Sequence, residues 1–209
     1  MNDYRITSFC GGFSEIREKK QQLVSNHIRK DHPKSKETYK FISCNHGRYK
    51  QLFIEIYNCK CSYCGVSMDV ICNKEGYEID HFIPEDYFSS KQDADYIDNL
   101  VLACFSCNRK KGRFLITGNC IELLNPDKKY IGEIFIRNEL FYIEISENYK
   151  ENEDIIGFYT QLNLGSELRR IDYLLMYVIK TFEKMNNPEI KNAVYEIIKK
   201  LRQYRNNVY

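Results

Sequence analysis

Apolar positions change their spacing several times along the chain, and each change marks an element. Tyr49, Leu52, Phe53, Ile56 and Tyr57 fall at helical intervals and predict a helix from about Arg48 to Tyr57. The stretch Tyr77 to Ile83 reads as a short strand ended by Pro84. Leu100-Val101-Leu102-Ala103 reads as a second strand, buried on most sides, and residues 85–98 form the loop between the two. After Cys107, Asn108-Arg109-Lys110-Lys111 winds as a short helix that Gly112 stops. Glu133-Ile134-Phe135-Ile136-Arg137 and Leu140-Phe141-Tyr142-Ile143-Glu144-Ile145 resemble a hairpin turning near Asn138. From Glu153 the pattern is helical. Ile171, Leu174, Leu175, Val178, Ile179 and Phe182 make one apolar face, Val194, Ile197, Ile198 and Leu201 another, and Asn186-Asn187-Pro188 separates them. Residues 1–35 are polar and basic, with breaks at Gly11-Gly12 and Asp31-His32-Pro33, and form helical or irregular pieces.

The composition fits a folded chain: 209 residues, 43% apolar and 14% aromatic, bury a proper core. The apolar run Leu174-Leu175-Met176-Tyr177-Val178-Ile179 is far too short to span a bilayer, and the N-terminus lacks a signal-peptide pattern, so a cytoplasmic protein without a membrane partner is expected. Net charge is +2, but residues 1–60 carry 12 Lys or Arg against 6 Asp or Glu, and the remainder 19 against 23. Such a basic arm suits phosphate tracking or simply a solvated helix surface, and both readings stay open.

Cysteine spacing changes the picture most. Cys61-Ser-Tyr-Cys64 and Cys104-Phe-Ser-Cys107 are two CxxC turns, each able to aim two thiolates at one ion, and together they form the tetrahedral all-thiolate shell that Zn2+ accepts. Nine cysteines in all, an odd number, argue for a reducing compartment and a metal rather than disulfides. Cys10, Cys44, Cys59, Cys72 and Cys120 are left over as small buried or idle thiols; Cys59 competes with Cys61 but lacks the two-residue spacing to Cys64.

Between and after the turns lie Asp80-His81, Asn99-Leu100 and Asn108-Arg109-Lys110-Lys111-Gly112. With its four cysteines, this segment resembles the zinc-stapled branch of the HNH, or ββα-metal, endonucleases, with Asn108 as the third signature residue. A weaker likeness runs through Leu123-Leu124-Asn125-Pro126-Asp127 and Leu162-Asn163-Leu164 to Arg169 and Arg170. That longer pattern resembles the HNH subunits that accompany an ATPase in Septu-type and retron-associated anti-phage systems. The implied fold is α+β: a ββα-metal core stapled by a four-cysteine zinc site, with helical N-terminal and C-terminal extensions and a β-hairpin after the core. The expected segments are 1–57 (basic helical extension), 58–115 (nuclease core), 116–150 (hairpin) and 151–209 (helical region), within one compact domain.

Phosphodiester hydrolysis needs an activated water, a cation on the phosphate and neutralisation of the leaving oxygen. His81, largely neutral at cellular pH, suits proton abstraction and by the resemblance is the general base. Asp80 and Asn108 offer hard oxygens suited to catalytic Mg2+ or Mn2+. The resemblance implies 5′-phosphate and 3′-hydroxyl products, with DNA as the expected nucleic acid and an ATPase subunit as a partner. It gives Asn99 the task of bonding across the inter-strand loop to hold the His81 backbone. Arg109, Lys110, Lys111 and Arg113 stand beside the proposed metal and suit contacts to the nucleic-acid backbone. Consecutive strand residues point to opposite faces, so a twist or bulge before Pro84 is expected, to let Asp80 and His81 share one site.

Other candidates read as ordinary. His27, His32 and His46 lack partners at ligand spacing, and Glu85 and Asp86 read as solvated loop acids. A non-catalytic four-cysteine zinc module that binds nucleic acid or a protein would share the frame, but it would need neither Asp80-His81 nor Asn108.

Overall fold

A computed structural model describes residues 3–44 and 47–208; His46 lies outside the described residues. Two antiparallel strands form the centre: β1 (Tyr77–His81) pairs with β2 (Leu100–Cys104), from Tyr77 opposite Cys104 to His81 opposite Leu100. An isolated two-stranded ribbon is marginal in water, so this one survives by being covered. Every residue of β2 is buried, and so are Tyr77, Ile79 and Asp80 of β1.

The N-terminal region contributes α1 (Ile16–Leu23), which continues through a π-helical turn at Val24–Ile28 into α2 (Arg29–Asp31), then α3 (Thr38–Ser43) and α4 (Arg48–Ile56). The expected Arg48 helix is present, and it buries Phe53 and Ile54. Buried polar groups fasten this region to the centre. Lys20 Nζ donates to the Leu100 carbonyl at 2.8 Å and pairs with Asp127, whose other oxygen accepts the Tyr57 hydroxyl at 2.8 Å. Arg5, 1% exposed, donates to the carbonyls of Ser62 at 2.6 Å and Pro126 at 2.8 Å. The Leu-Leu-Asn-Pro-Asp stretch thus builds the core's polar joints.

Helix α5 (Met68–Ile71) precedes β1, and α6 (Lys91–Ala94) lies between the strands, inside the connection read from sequence as a plain loop. Ser90 caps α6 by accepting the Asp93 amide at 3.2 Å. The first strand is shorter than expected and ends at His81; Phe82 makes one more ladder bond, to the Asn99 carbonyl at 2.8 Å. The expected bulge is absent, since pairing is one to one along β1.

Helix α7 (Phe105–Lys111) follows β2 directly, and Gly112 ends it at φ 50°. Beyond come α8 (Cys120–Leu124), α9 (Ile131–Ile134), and the ribbon β3 (Phe135–Arg137) with β4 (Ile143–Ile145). This hairpin is shorter than its sequence pattern, because Glu133 and Ile134 belong to the turn of α9 and Leu140–Phe141 to the reversal. Helices α10 (Glu153–Gln161), α11 (Glu167–Glu183) and α12 (Pro188–Val208) complete the chain. Helix α11 buries Ile171, Leu175 and Ile179. Helix α12 departs from the expected apolar face: Ile198 is buried but Ile197 is 49% exposed. No helix among the described residues is long and apolar enough to cross a membrane.

Candidate functional site

The two CxxC turns meet. One sulfur from each of Cys61, Cys64, Cys104 and Cys107 lies within 4.8 Å of the others, and all four residues are buried. Backbone bonds shape the first turn: Gly65 N–H donates to the Cys61 carbonyl and Cys61 N–H to Val66. Gly65 sits at φ +78°, and a Cβ there would come within 2.6 Å of the Arg5 backbone, so only glycine fits. In the second turn the Cys104 sulfur accepts the Cys107 amide at 3.5 Å and caps α7. Cys59 stands outside the cluster.

Arg169 tests whether these thiols suit zinc. This α11 residue, 2% exposed, aims its guanidinium into the cluster, with Nη2 3.1 Å from Cys107 Sγ and Nη1 3.5 Å and 3.9 Å from those of Cys64 and Cys104. Burial by itself lowers the arginine pKa, but the sulfurs and Asp172 hold it well above its usual value. A buried cation in contact with three sulfurs of the cluster is balanced when they are thiolates, as they are around Zn2+.

Strand β1 runs between two helices. Glu78 and Asp80 face α7, where the Asn108 amide nitrogen donates to Glu78 at 2.6 Å and Arg109 reaches the same carboxylate at 3.1 Å. Asp80 accepts the Tyr63 hydroxyl at 2.6 Å and pairs with Lys111 at 3.0 Å. Burial pushes the Asp80 carboxyl up from its ordinary value, against the pull of Lys111. His81 falls on the other face. Its ring stacks on Tyr39 of α3 with centroids 4.8 Å apart, and Nε2 lies 2.8 Å from Asp95 Oδ1.

Without a bulge, then, the side chains of Asp80 and His81 have separate partners. Lys111 is what joins them, for its ammonium also donates to the His81 carbonyl at 2.7 Å. None of the described contacts joins Asp80 to Asn108. Two carboxylates, an amide and a carbonyl nevertheless line the α7 side of the strand, a donor set of hard oxygens that fits Mg2+ or Mn2+. The Lys111 ammonium already brings a positive charge to two members of that set, Asp80 and the His81 carbonyl.

Asn99 spans the loop. Its Nδ2 donates to the carbonyls of Ile83 at 3.0 Å and Ala94 at 2.9 Å, and its Oδ1 accepts the Ile83 amide at 2.8 Å, two residues beyond His81.

The four basic residues divide. Lys111 departs from its expected role: at 1% exposure it is an internal counter-ion to Asp80, turned away from any phosphate at the surface. Arg109 is exposed, Lys110 half-buried, and Arg113 is exposed in a pair with Asp86 at 3.1 Å. Glu85 is exposed as well. His27 meets Arg48 at 3.3 Å and His32 stacks on Phe41 at 4.3 Å, so both are locally satisfied.

A cleft of about 450 Å³ opens beside Tyr39, lined by Lys36, Lys40, Lys91 and Asp95 among others. A second, of about 690 Å³, shares Lys36, Gln92 and Asp95 with it and adds Arg29 and Lys34. Sequence reasoning missed Asp95, Tyr39 and Glu78 as members of this site. Strand alternation placed Glu78 on the Asp80 face and could have found it; Asp95 and Tyr39 carry no local signal.

Residues 61–114 match the family model described as HNH endonuclease. Comparison with curated proteins and with solved structures gave no match. The matched segment holds all four cysteines, Asp80, His81, Asn99 and Asn108, and it supports hydrolytic nuclease chemistry on nucleic acid and does not favour a non-catalytic zinc module that binds nucleic acid or a protein.

Proposed function

We propose that the protein is a metal-dependent endonuclease in which His81 activates water and Asp80 and Asn108 hold Mg2+ or Mn2+. The observation that carries the reading is the HNH match over residues 61–114, which holds Asp80, His81, Asn99 and Asn108; the divergence of Asp80 and His81 to opposite faces of β1 counts against a single shared site, and the variants below test it.

His81 Nε2 is committed to Asp95, so Nδ1 is the atom that takes the proton from water. The Asp95 carboxylate fixes the tautomer and Tyr39 the ring plane. Asn99 ties the loop after His81 across to Ala94, which keeps the end of β1 in place. Asp80 and Asn108 supply oxygens for the cation, with Glu78 beside Asn108. That cation, when bound, stabilises charge on the phosphate and on the leaving oxygen. Because the two groups of residues occupy opposite faces of β1, the phosphate must lie across the C-terminal end of the strand. Arg109, Lys110 and Arg113 flank it on the α7 side; the clefts along Lys36, Lys40 and Lys91 flank it on the other. The four cysteines would hold zinc, and Cys107 would pass that anchor to its neighbour Asn108.

DNA as substrate, service in an anti-phage system and an ATPase partner are part of the proposal and rest on the sequence resemblance. The test is nicking of supercoiled plasmid by zinc-loaded protein with Mg2+ or Mn2+, beside His81→Ala and Asn108→Ala. Metal-dependent nicking that both variants lose while keeping zinc supports the assignment. Equal nicking by His81→Ala refutes His81 as the base.

A further inference from the structure

We infer that Arg169 is the built-in counter-charge of the zinc centre, and that through it zinc loading and docking of the two C-terminal helices form one equilibrium. The inference rests on the zinc reading of the four cysteines and is independent of nuclease activity.

Four thiolates around a dication leave an excess of negative charge in a buried place, where it is expensive unless paired. Arg169 supplies the pairing from outside the matched segment. Both terminal nitrogens of its guanidinium are spent on the cluster, touching three of the four sulfurs, and Nη2 also donates to Ser106 Oγ at 3.1 Å. Its Nε finds no acceptor among the described residues. Asp172, on the same helix, is shared between two arginines: it lies 3.9 Å from Arg169 and 2.6 Å from Arg205 Nε on α12. The result is a buried ladder of alternating charge, from thiolates to Arg169 to Asp172 to Arg205, crossing from the zinc turns through α11 to α12. Asp172 is 3% exposed, so every rung but the last is shielded from solvent.

The ladder couples both ways. Loss of zinc frees the three sulfurs that Arg169 spans and leaves its buried guanidinium without the centre it is built against, which favours release of α11 and with it α12. Loss of the guanidinium leaves the thiolate centre overcharged and weakens its hold on zinc. A planar fork meets several sulfurs at once, whereas a lysine offers a single ammonium at that distance.

The experiment uses the full chain. Zinc affinity is measured by competition with a chromophoric chelator for wild type, Arg169→Met, Arg169→Lys and Arg170→Met. Arg170 is the control, since it turns outward to Glu167 and the Leu140 carbonyl. Arg169→Met is expected to weaken zinc binding about 10- to 100-fold, the usual effect of losing a group that supports metal ligands. Arg169→Lys falls between, and Arg170→Met matches wild type. A folded Arg169→Met with wild-type affinity overturns the inference, as does a wild-type chain that takes up no zinc. If Arg169→Met does not fold, hydrogen exchange on wild type decides. Zinc removal should speed exchange across residues 167–208 relative to α1, and unchanged exchange there overturns the inference.

Discussion

The His81 imidazole Nε2 lies 2.8 Å from Asp95 Oδ1, and Asp95 itself is 9% exposed. A carboxylate in that place accepts a hydrogen bond from Nε2–H and so leaves the free lone pair on Nδ1. An amide can instead offer its NH2 group to Nε2 and select the opposite tautomer. Asp95→Asn should therefore lower plasmid nicking by about 100-fold, within the range general-base catalysis contributes, while zinc content and nucleic-acid binding stay at wild-type levels. Imidazole nitrogen chemical shifts would report the tautomer directly, and an unchanged tautomer with full activity would remove Asp95 from the site.

Lys111 and Asp80 form a buried pair with side-chain exposures of 1% and 8%. Removing one partner leaves the other as an uncompensated charge, which costs about 3–5 kcal/mol. Lys111→Met should show a loss of that size in urea unfolding of the zinc-loaded protein. Adding Asp80→Asn should recover part of it, because the stranded carboxylate is then gone. Additive losses in the double variant would mean that the two do not interact.

Lys36 and Lys91 line the cleft beside Tyr39. If nucleic acid lies there, Lys36→Glu and Lys91→Glu each weaken binding several-fold in the inactive His81→Ala background. Each lost phosphate contact lowers the slope of log affinity against log salt by about 1. A uniform loss of affinity with an unchanged salt slope would place the strand elsewhere.

Arg5 clasps Asp3 at 2.6 Å. Burial alone would raise the Asp3 pKa, but the charge and hydrogen bonds of Arg5 outweigh it and hold the carboxyl below its ordinary 3.8. For an acid depressed in the folded state, the unfolded chain binds more protons between the two values. The stabilisation is therefore complete above the unfolded value and is lost as pH falls through the folded one. The difference in unfolding free energy between wild type and Asp3→Asn should be constant from pH 7 to pH 5 and shrink below about pH 4. A difference that grows on acidification would contradict the sign.

The sequence by itself determined the central strands, the helix after them and the cysteine frame. Two CxxC spacings named the four cysteines that cluster, Gly112 marked the end of α7, and short apolar runs located β1 and β2, because each signal is written within a few residues. The tertiary structure alone decided how the site is arranged. Pairing without a bulge put Asp80 and His81 on opposite faces, although a shared face had been expected of them. Burial turned Lys111 from a surface cation into a counter-ion. Asp95 comes to His81 from 14 residues away, and Arg169 to Cys64 from 105. Such partners have no periodicity to betray them. They are selected by the need to neutralise each buried charge, and that need exists only once packing has excluded water.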